Sequence, residues 1–141
     1  MSRYTISSSS ELHRDDVLSL YESVGWAVYT SDPELLMRAI ESSSFVVTAR
    51  AAGGELVGLA RAISDDATIC YLQDIVVRPT FQGEGVGRAL LSRVMERYEH
   101  VRQTVLITDD EPRQRCFYEA LGFTEGADFR PEPIRIFAQF G

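Results

Sequence analysis

The sequence predicts an α/β (α+β) domain, and three observations lead there. Stretches with a helical apolar period alternate along the chain with short β-rich segments. Two of the β-rich segments, Phe45–Ala51 and Leu56–Ser64, flank the glycine pair Gly53-Gly54 at hairpin distance. A third, Thr68–Arg78, leads through a glycine-rich loop into an amphipathic helix. With 141 residues, 45% hydrophobic and 25% charged, the chain is long enough for one real core, so residues 1–141 are expected to form a single domain.

The elements follow in order. Arg3–Ser7 is short and β-compatible. After the serine run, Glu11–Val24 carries Leu12, Val17, Leu18, Leu20, Tyr21 and Val24 mostly on one helical face, and Gly25 ends that helix. Trp26 to Tyr29 form an aromatic-rich connection. Ser31 or Asp32 then caps a second helix whose early Pro33 needs no donor, and which runs to about Ser42. Thr68–Arg78, reading TICYLQDIVVR, has apolar residues at odd and even positions, as expected for a central strand buried on both sheet faces. Pro79 stops its ladder, and Arg88–Tyr98 follows as a helix with Leu90, Leu91, Val94, Met95 and Tyr98 along one stripe. Thr104–Ile107 reads as another strand. Pro112 opens a helix through Cys116, Phe117, Ala120 and Leu121 that Gly122 closes, Phe123 starts the last strand region, and Ile134–Phe140 alternates as a final strand.

Bulk properties narrow the function. A net charge of −7, with no Lys/Arg stripe, would repel a phosphate backbone, so nucleic acid is not an expected partner. No apolar run reaches the roughly 20 residues of a membrane span, and the start lacks a signal-peptide core, which gives a cytoplasmic protein with no membrane partner as the expectation. Cys70 and Cys116 are far apart and outside any C-x-x-C pairing. They read as small buried hydrophobes rather than as a metal site or disulfide, although Cys116 lies near a candidate catalytic residue.

The chemistry is concentrated in Gln82-Gly83-Glu84-Gly85-Val86-Gly87-Arg88, between strand and helix. A loop that brings its backbone close to an anion must lack Cβ atoms, and a helix start beyond it offers unpaired N–H groups and a positive dipole end. This suits a pyrophosphate. No Gly-Lys-Ser/Thr follows, and neither glycine register continues as G-x-G-x-x-G, which removes the Walker A and dinucleotide fingerprints.

Gln82 to Gly87 resembles the cofactor loop of the GNAT N-acetyltransferases: Gln or Arg, two residues, Gly, one residue, Gly or Ala. Ile75-Val76-Val77-Arg78-Pro79 upstream and Phe117-Tyr118-Glu119-Ala120-Leu121-Gly122-Phe123 downstream are similar to the family's flanking segments. The resemblance covers the chain from about Phe45 onward. It implies a mixed, mostly antiparallel six- to seven-stranded sheet with a splayed central strand and about four helices, acetyl-CoA as cofactor, and direct acetyl transfer to a primary amine. It also implies that Ile75, Val76 and Val77 pair with the pantetheine arm, that Gln82 to Arg88 hold the pyrophosphate, and that Tyr118 is the general acid. No metal is implied. Homodimers are frequent in the family, so a homodimer is expected.

The base is open among Asp74, Asp109 and Asp110, of which Asp74 is the first candidate. Where many members carry Asn and Ala before the tyrosine helix, this chain has Glu111 and Gln114. Acceptor choice in the family resembles a property of the first two helices and their connection, where Trp26 and Tyr29 could stack on or cage a small or aromatic amine, or simply fill core. The alternative function is a non-catalytic acyl-CoA-binding or sensor module on the same fold.

Overall fold

The computed structural model describes residues 3–8 and 11–141, so two residues of the serine run lie outside it. The chain divides into two compact units, Met1–Ile107 and Thr108–Gly141.

In the first unit five strands form one sheet in chain order: β1 (Tyr4–Ser7), β2 (Phe45–Ala51), β3 (Leu56–Ser64), β4 (Ile69–Val77) and β5 (Gln103–Leu106). The first three pairings are antiparallel and β4–β5 is parallel. The hairpin between β2 and β3 closes through Ala51 N–H to Glu55 O, with Gly54 at φ 94° supplying the left-handed turn. Among the described residues four α-helices belong to this unit, α1 (Arg14–Ser23), the single turn α2 (Ala27–Thr30), α3 (Pro33–Glu41) and α4 (Val86–Arg97), with a 3₁₀ turn at Pro79–Phe81. Asp32 is the cap of α3, its side chain accepting from Leu35 N–H, and Pro33 occupies the first turn.

The sheet is covered on both faces. Val17, Leu20 and Tyr21 of α1 and Leu36 and Ile40 of α3 pack with Leu56, Leu59 and Val76 on one face. A Cβ added at Gly58 would stand 2.9 Å from Val86 Cγ1 and 3.0 Å from Leu90 Cδ1, which places α4 on the other. The strand in the middle is β3, buried from Leu56 to Ala62, rather than Thr68–Arg78.

β4 reaches both faces in an unexpected way. Its buried residues are Cys70, Leu72, Asp74 and Val76, an unbroken alternation. Yet Leu72 pairs with Ala62 and Asp74 with Arg61, so Gln73 is one extra residue, a β-bulge. Cross-strand partners share a face. Cys70 and Leu72 therefore lie on the α4 face, whereas Asp74 and Val76 lie on the α1/α3 face, opposite Arg61 and Leu59.

The second unit holds α5 (Pro112–Ala120) and a 3₁₀ turn at Gly126–Asp128. Arg115 ties it together by ion pairs to Glu119, Glu125 and Asp128. The strands expected from Phe123 and over Ile134–Phe140 do not form, and among the described residues the sheet has five strands rather than six or seven. Period-2 apolar spacing makes a strand only where a neighbouring strand takes up its hydrogen bonds. Among the described residues no strand pairs with 134–140; Ile134 N–H goes instead to Gly126 O at 2.9 Å, and Phe137 is 90% exposed. Cys116 is also exposed, against the expectation, while Cys70 is buried.

Candidate active site

β5 accompanies β4 only as far as Leu72, which pairs with Leu106. From Gln73 to Val77, β4 is paired on its β3 side alone among the described residues. Arg78 donates its N–H to Val57 O at 2.8 Å, and this fixes the parity of the ladder. Val76 faces Leu59 with its backbone groups, so those of Ile75 and Val77 point to the unpaired edge. The Val77 carbonyl accepts from Gln82 Nε2 at 3.1 Å, tying the strand to the loop that follows.

That loop turns at Gly83 (φ 83°) and Gly85 (φ 85°), conformations that side-chain-bearing residues adopt only with strain. Gly85 is also the N-cap of α4 and offers no side-chain acceptor to the helix amides. The first N–H groups of a twelve-residue helix therefore point outward with the positive end of its dipole. Val86 is 1% exposed and packs in the core, anchoring the loop, while Gln82, Gly83, Gly85 and Arg88 are exposed. A doubly charged diphosphate fits this donor set.

Two residues here carried no sequence signal. Arg3 pairs with Glu84 Oε2 at 2.6 Å and lies over the Phe81 ring at 4.4 Å, and Tyr4 OH donates to Glu84 O at 3.3 Å. Arg3 thus offsets the one negative side chain in a loop whose donors suit an anion. Pairing of β1 with β2 brings it there, and nothing local in Arg3-Tyr4 announces it.

On the α1/α3 face the bulge presents Asp74. Its Oδ2 accepts from Arg61 Nε at 2.6 Å and from Tyr21 OH at 2.9 Å, and its Oδ1 accepts from Tyr29 OH at 3.0 Å. Gln73 Nε2 donates to the Tyr29 oxygen at 3.2 Å. Burial, then the charge of Asp74, pushes the Tyr21 phenol well above its usual range, so Tyr21 stays a donor. Both oxygens of the Asp74 carboxylate are thereby engaged, by a buried guanidinium and two hydroxyls.

Trp26 and Tyr29 are brought together with Tyr21. Gly25, at φ 76°, closes α1 with its N–H to Glu22 O while Trp26 N–H reaches Tyr21 O, a Schellman motif. The paired ends of that motif carry rings: Trp26 and Tyr21 are 5.8 Å apart, edge to face, and Tyr29 stands 5.9 Å from Trp26. Both Trp26 and Tyr29 are half-buried.

In the second unit, α5 ends in the same way, with Gly122 N–H to Glu119 O and Phe123 N–H to Tyr118 O. Phe123 and Phe117 rings flank Tyr118, which at 7% exposure is the buried residue of α5. Burial pushes its phenol up to about 12. Asp109 and Asp110 are exposed, as is Glu111, which leaves α5 without a side-chain cap. Among the described residues no cluster of His, Cys, Asp or Glu could hold a metal ion.

Comparison with known proteins agrees with this geometry. Residues 41–125 match the family model described as "Acetyltransferase (GNAT) domain". The chain is 31% identical over 129 residues to "Uncharacterized N-acetyltransferase ycf52" of Gracilaria tenuistipitata var. liui, covering 87% of this chain and 68% of that one. It is 35% identical over 98 residues to "Serotonin N-acetyltransferase 2, chloroplastic" of Oryza sativa subsp. japonica, covering 67% of this chain and 49% of the relative. Among solved structures, the GNAT family protein SP0256 of Streptococcus pneumoniae TIGR4 superposes with a TM-score of 0.80 at 26% identity, over 97% of this chain and 99% of that one. AAC(6')-Iy, solved with a CoA-containing bisubstrate analogue, superposes with a TM-score of 0.72 at 19% identity, over 99% of this chain and all of that one, a likeness of fold. The chain belongs to the GNAT family of acetyltransferases.

Proposed function

We propose that this chain transfers an acetyl group from acetyl-CoA to the primary amine of a small or aromatic molecule. The observation that carries the reading is the edge of β4 from Gln73 to Val77, unpaired by any strand on that side among the described residues and joined through the 3₁₀ turn Pro79–Phe81 to the uncapped glycine loop. An extended amide-bearing arm ending in a diphosphate suits those two features in that order. AAC(6')-Iy, with its CoA-containing ligand, lends the same support at the level of fold.

Acetyl-CoA, when bound, supplies a thioester whose carbonyl takes the amine and whose sulfur leaves. The chain's own residues do the rest. Ile75 and Val77 pair through their backbones with the arm's amides, and Val76, engaged with Leu59, keeps the strand in place. Amides from Gly83 to Arg88 hold the diphosphate, with Arg3 offsetting Glu84. Tyr118, its phenol held up by burial, keeps its proton at neutral pH and gives it to the departing sulfur. The amine gives up one proton as its C–N bond forms, which restores Tyr118 through solvent.

The Trp26–Tyr21–Tyr29 cluster supports an aromatic amine, as does the 35% identity to a rice relative named for serotonin, itself an arylalkylamine. A homodimer belongs to the same reading. Ile134, Ile136, Phe137 and Phe140, all exposed, supply apolar surface that a second copy would cover. Among the described residues no helix is long and apolar enough to cross a membrane.

The test is thermal unfolding with and without acetyl-CoA, for the natural chain and Gly85→Glu, followed by thiol release with 2-phenylethylamine. A shift present in the natural chain and absent in the variant, with thiol release lost in Tyr118→Phe, is the expected result. Binding without any thiol release would instead mark a non-catalytic acyl-CoA module.

A further inference from the structure

We propose that the Tyr71 hydroxyl is a specificity-determining group of the acceptor side, its oxygen taking an N–H of the amine while the side chains beside it carry the amine's flat apolar body. The inference deepens, and rests on, the amine-acetylation reading of the same site.

The place of Tyr71 follows from strand register. Its Cα partners are Ile63 of β3 and Val105 of β5, so the three side chains form one cross-strand row. Ile63 lies two residues from Arg61 on β3, and Arg61 is opposite Asp74. Tyr71 and Asp74 are therefore neighbours on the α1/α3 face although three residues apart in sequence, because Gln73 is the extra residue between them. Tyr71 directly precedes Leu72, where pairing with β5 stops and beyond which the edge of β4 is open. The glycine loop lies at the opposite end of that edge, which leaves the Tyr71 end for the acceptor.

The hydrogen bonds of this face single out the same residue. Arg61, Asp74, Tyr21, Tyr29 and Gln73 are bonded to one another. The Tyr71 hydroxyl has no hydrogen-bond partner among the described residues. Among those residues no buried side-chain nitrogen or oxygen lacks a partner, so the unbonded oxygen of half-buried Tyr71 meets solvent. It offers a ligand one proton and two lone pairs. Burial, then the Tyr29 phenol and the Asp74 carboxylate, push its ionisation up, so at neutral pH it remains a hydroxyl. The same carboxylate, felt at Tyr71, favours an ammonium or an N–H there over an anion. Ile63, 43% exposed, and half-buried Val105 leave apolar surface on either side, and Tyr29 with Trp26 beside it adds rings. The ligand class is a primary amine carried by a flat apolar group.

Tyr71→Phe deletes only an unbonded hydroxyl, so its urea midpoint should not fall. Trp26 is the single tryptophan of the chain, and its fluorescence reports binding without turnover. The full chain and Tyr71→Phe are titrated with 2-phenylethylamine and with its N,N,N-trimethyl analogue, which keeps the ring and the charge and has no N–H. The natural chain is expected to bind the amine about tenfold more tightly than the analogue, and Tyr71→Phe to bind the two alike with its acetyl-CoA thermal shift retained. Undiminished discrimination in Tyr71→Phe would overturn the inference. So would a natural chain that binds the two alike, or neither, a comparison that needs no variant to fold. A lowered urea midpoint in the variant would overturn it too, since the hydroxyl would then serve the fold. Tyr71-dependent amine binding without thiol release would sink acetyl transfer and leave this inference standing. Thiol release with an unchanged KM for the amine in Tyr71→Phe would do the reverse.

Discussion

Arg61 Nε and Asp74 Oδ2 stand 2.6 Å apart with side chains 6% and 2% exposed, and two tyrosine hydroxyls complete the carboxylate's shell. A buried ion pair of this kind adds little over a well-packed apolar pair, but breaking it by removing one partner is costly. Asp74→Ala leaves Arg61 uncompensated in the sheet, and unfolding in urea is expected to show a loss of about 3–5 kcal/mol. A loss under about 1 kcal/mol would show that the pair is already solvated in the native chain.

Tyr118→Phe removes a proton donor and little else, since the ring contacts with Phe117 and Phe123 remain. Stability should change by no more than about 1 kcal/mol, while kcat for acetyl transfer falls by about a hundredfold or more. Because burial pushes this phenol up to about 12, its ionisation should not bend the rate profile of the natural enzyme below pH 11. An alkaline limb centred near 10 that vanishes in Tyr118→Phe would contradict the burial argument.

Alkali should destabilise the fold. Burial raises the Cys70 thiol from 9.0 to about 11 and the Tyr118 phenol from 10.0 to about 12, and it moves Tyr21 in the same direction. These groups are neutral in both states below about pH 8, where their stabilising contribution is complete. As pH rises the unfolded chain ionises first, so stability is lost progressively from about 9 up to about 12, where the folded groups follow. Melting temperatures flat across that window would refute this, and Cys70→Ser should narrow the decline at its lower end.

Gly85→Ala forces a side chain into a φ of 85° at the cap of α4. The strain costs about 1–2 kcal/mol. The added Cβ would stand 3.6 Å from Tyr4 Oη, an ordinary contact, so the loop rather than the core absorbs the change. Steady-state kinetics should show a raised KM for acetyl-CoA and an unaltered KM for the amine. Equal rises in both would mean the loop does not act on the cofactor alone.

Phe137 and Phe140 are 90% and 86% exposed, so replacing both with Ser should leave monomer stability within about 0.5 kcal/mol. Sedimentation should find the natural chain dimeric and the double variant monomeric. A natural chain that sediments as a monomer at about 100 μM, or a variant that stays dimeric, would remove these residues from any subunit contact.

Much of this was written locally. The β2–β3 hairpin, the Asp32-Pro33 start of α3, the glycine ends of α1 and α5, and the strand–loop–helix around Gln82 to Arg88 each depend on a few neighbouring residues. Side-chain geometry and backbone permissiveness act over one turn of chain, which is why those features and the family likeness could be read in order. The tertiary structure alone decided the rest. It placed Arg3 against Glu84 across β1, and it made β3 the middle strand. It also left 134–140 without a ladder, because an alternating pattern records which face would be apolar and not whether a neighbour arrives. The most consequential case is Gln73, whose insertion opposite Arg61 and Ala62 turned Asp74 toward Tyr21 and Tyr29. A bulge is a property of two strands in register, and a single strand's sequence carries no record of it.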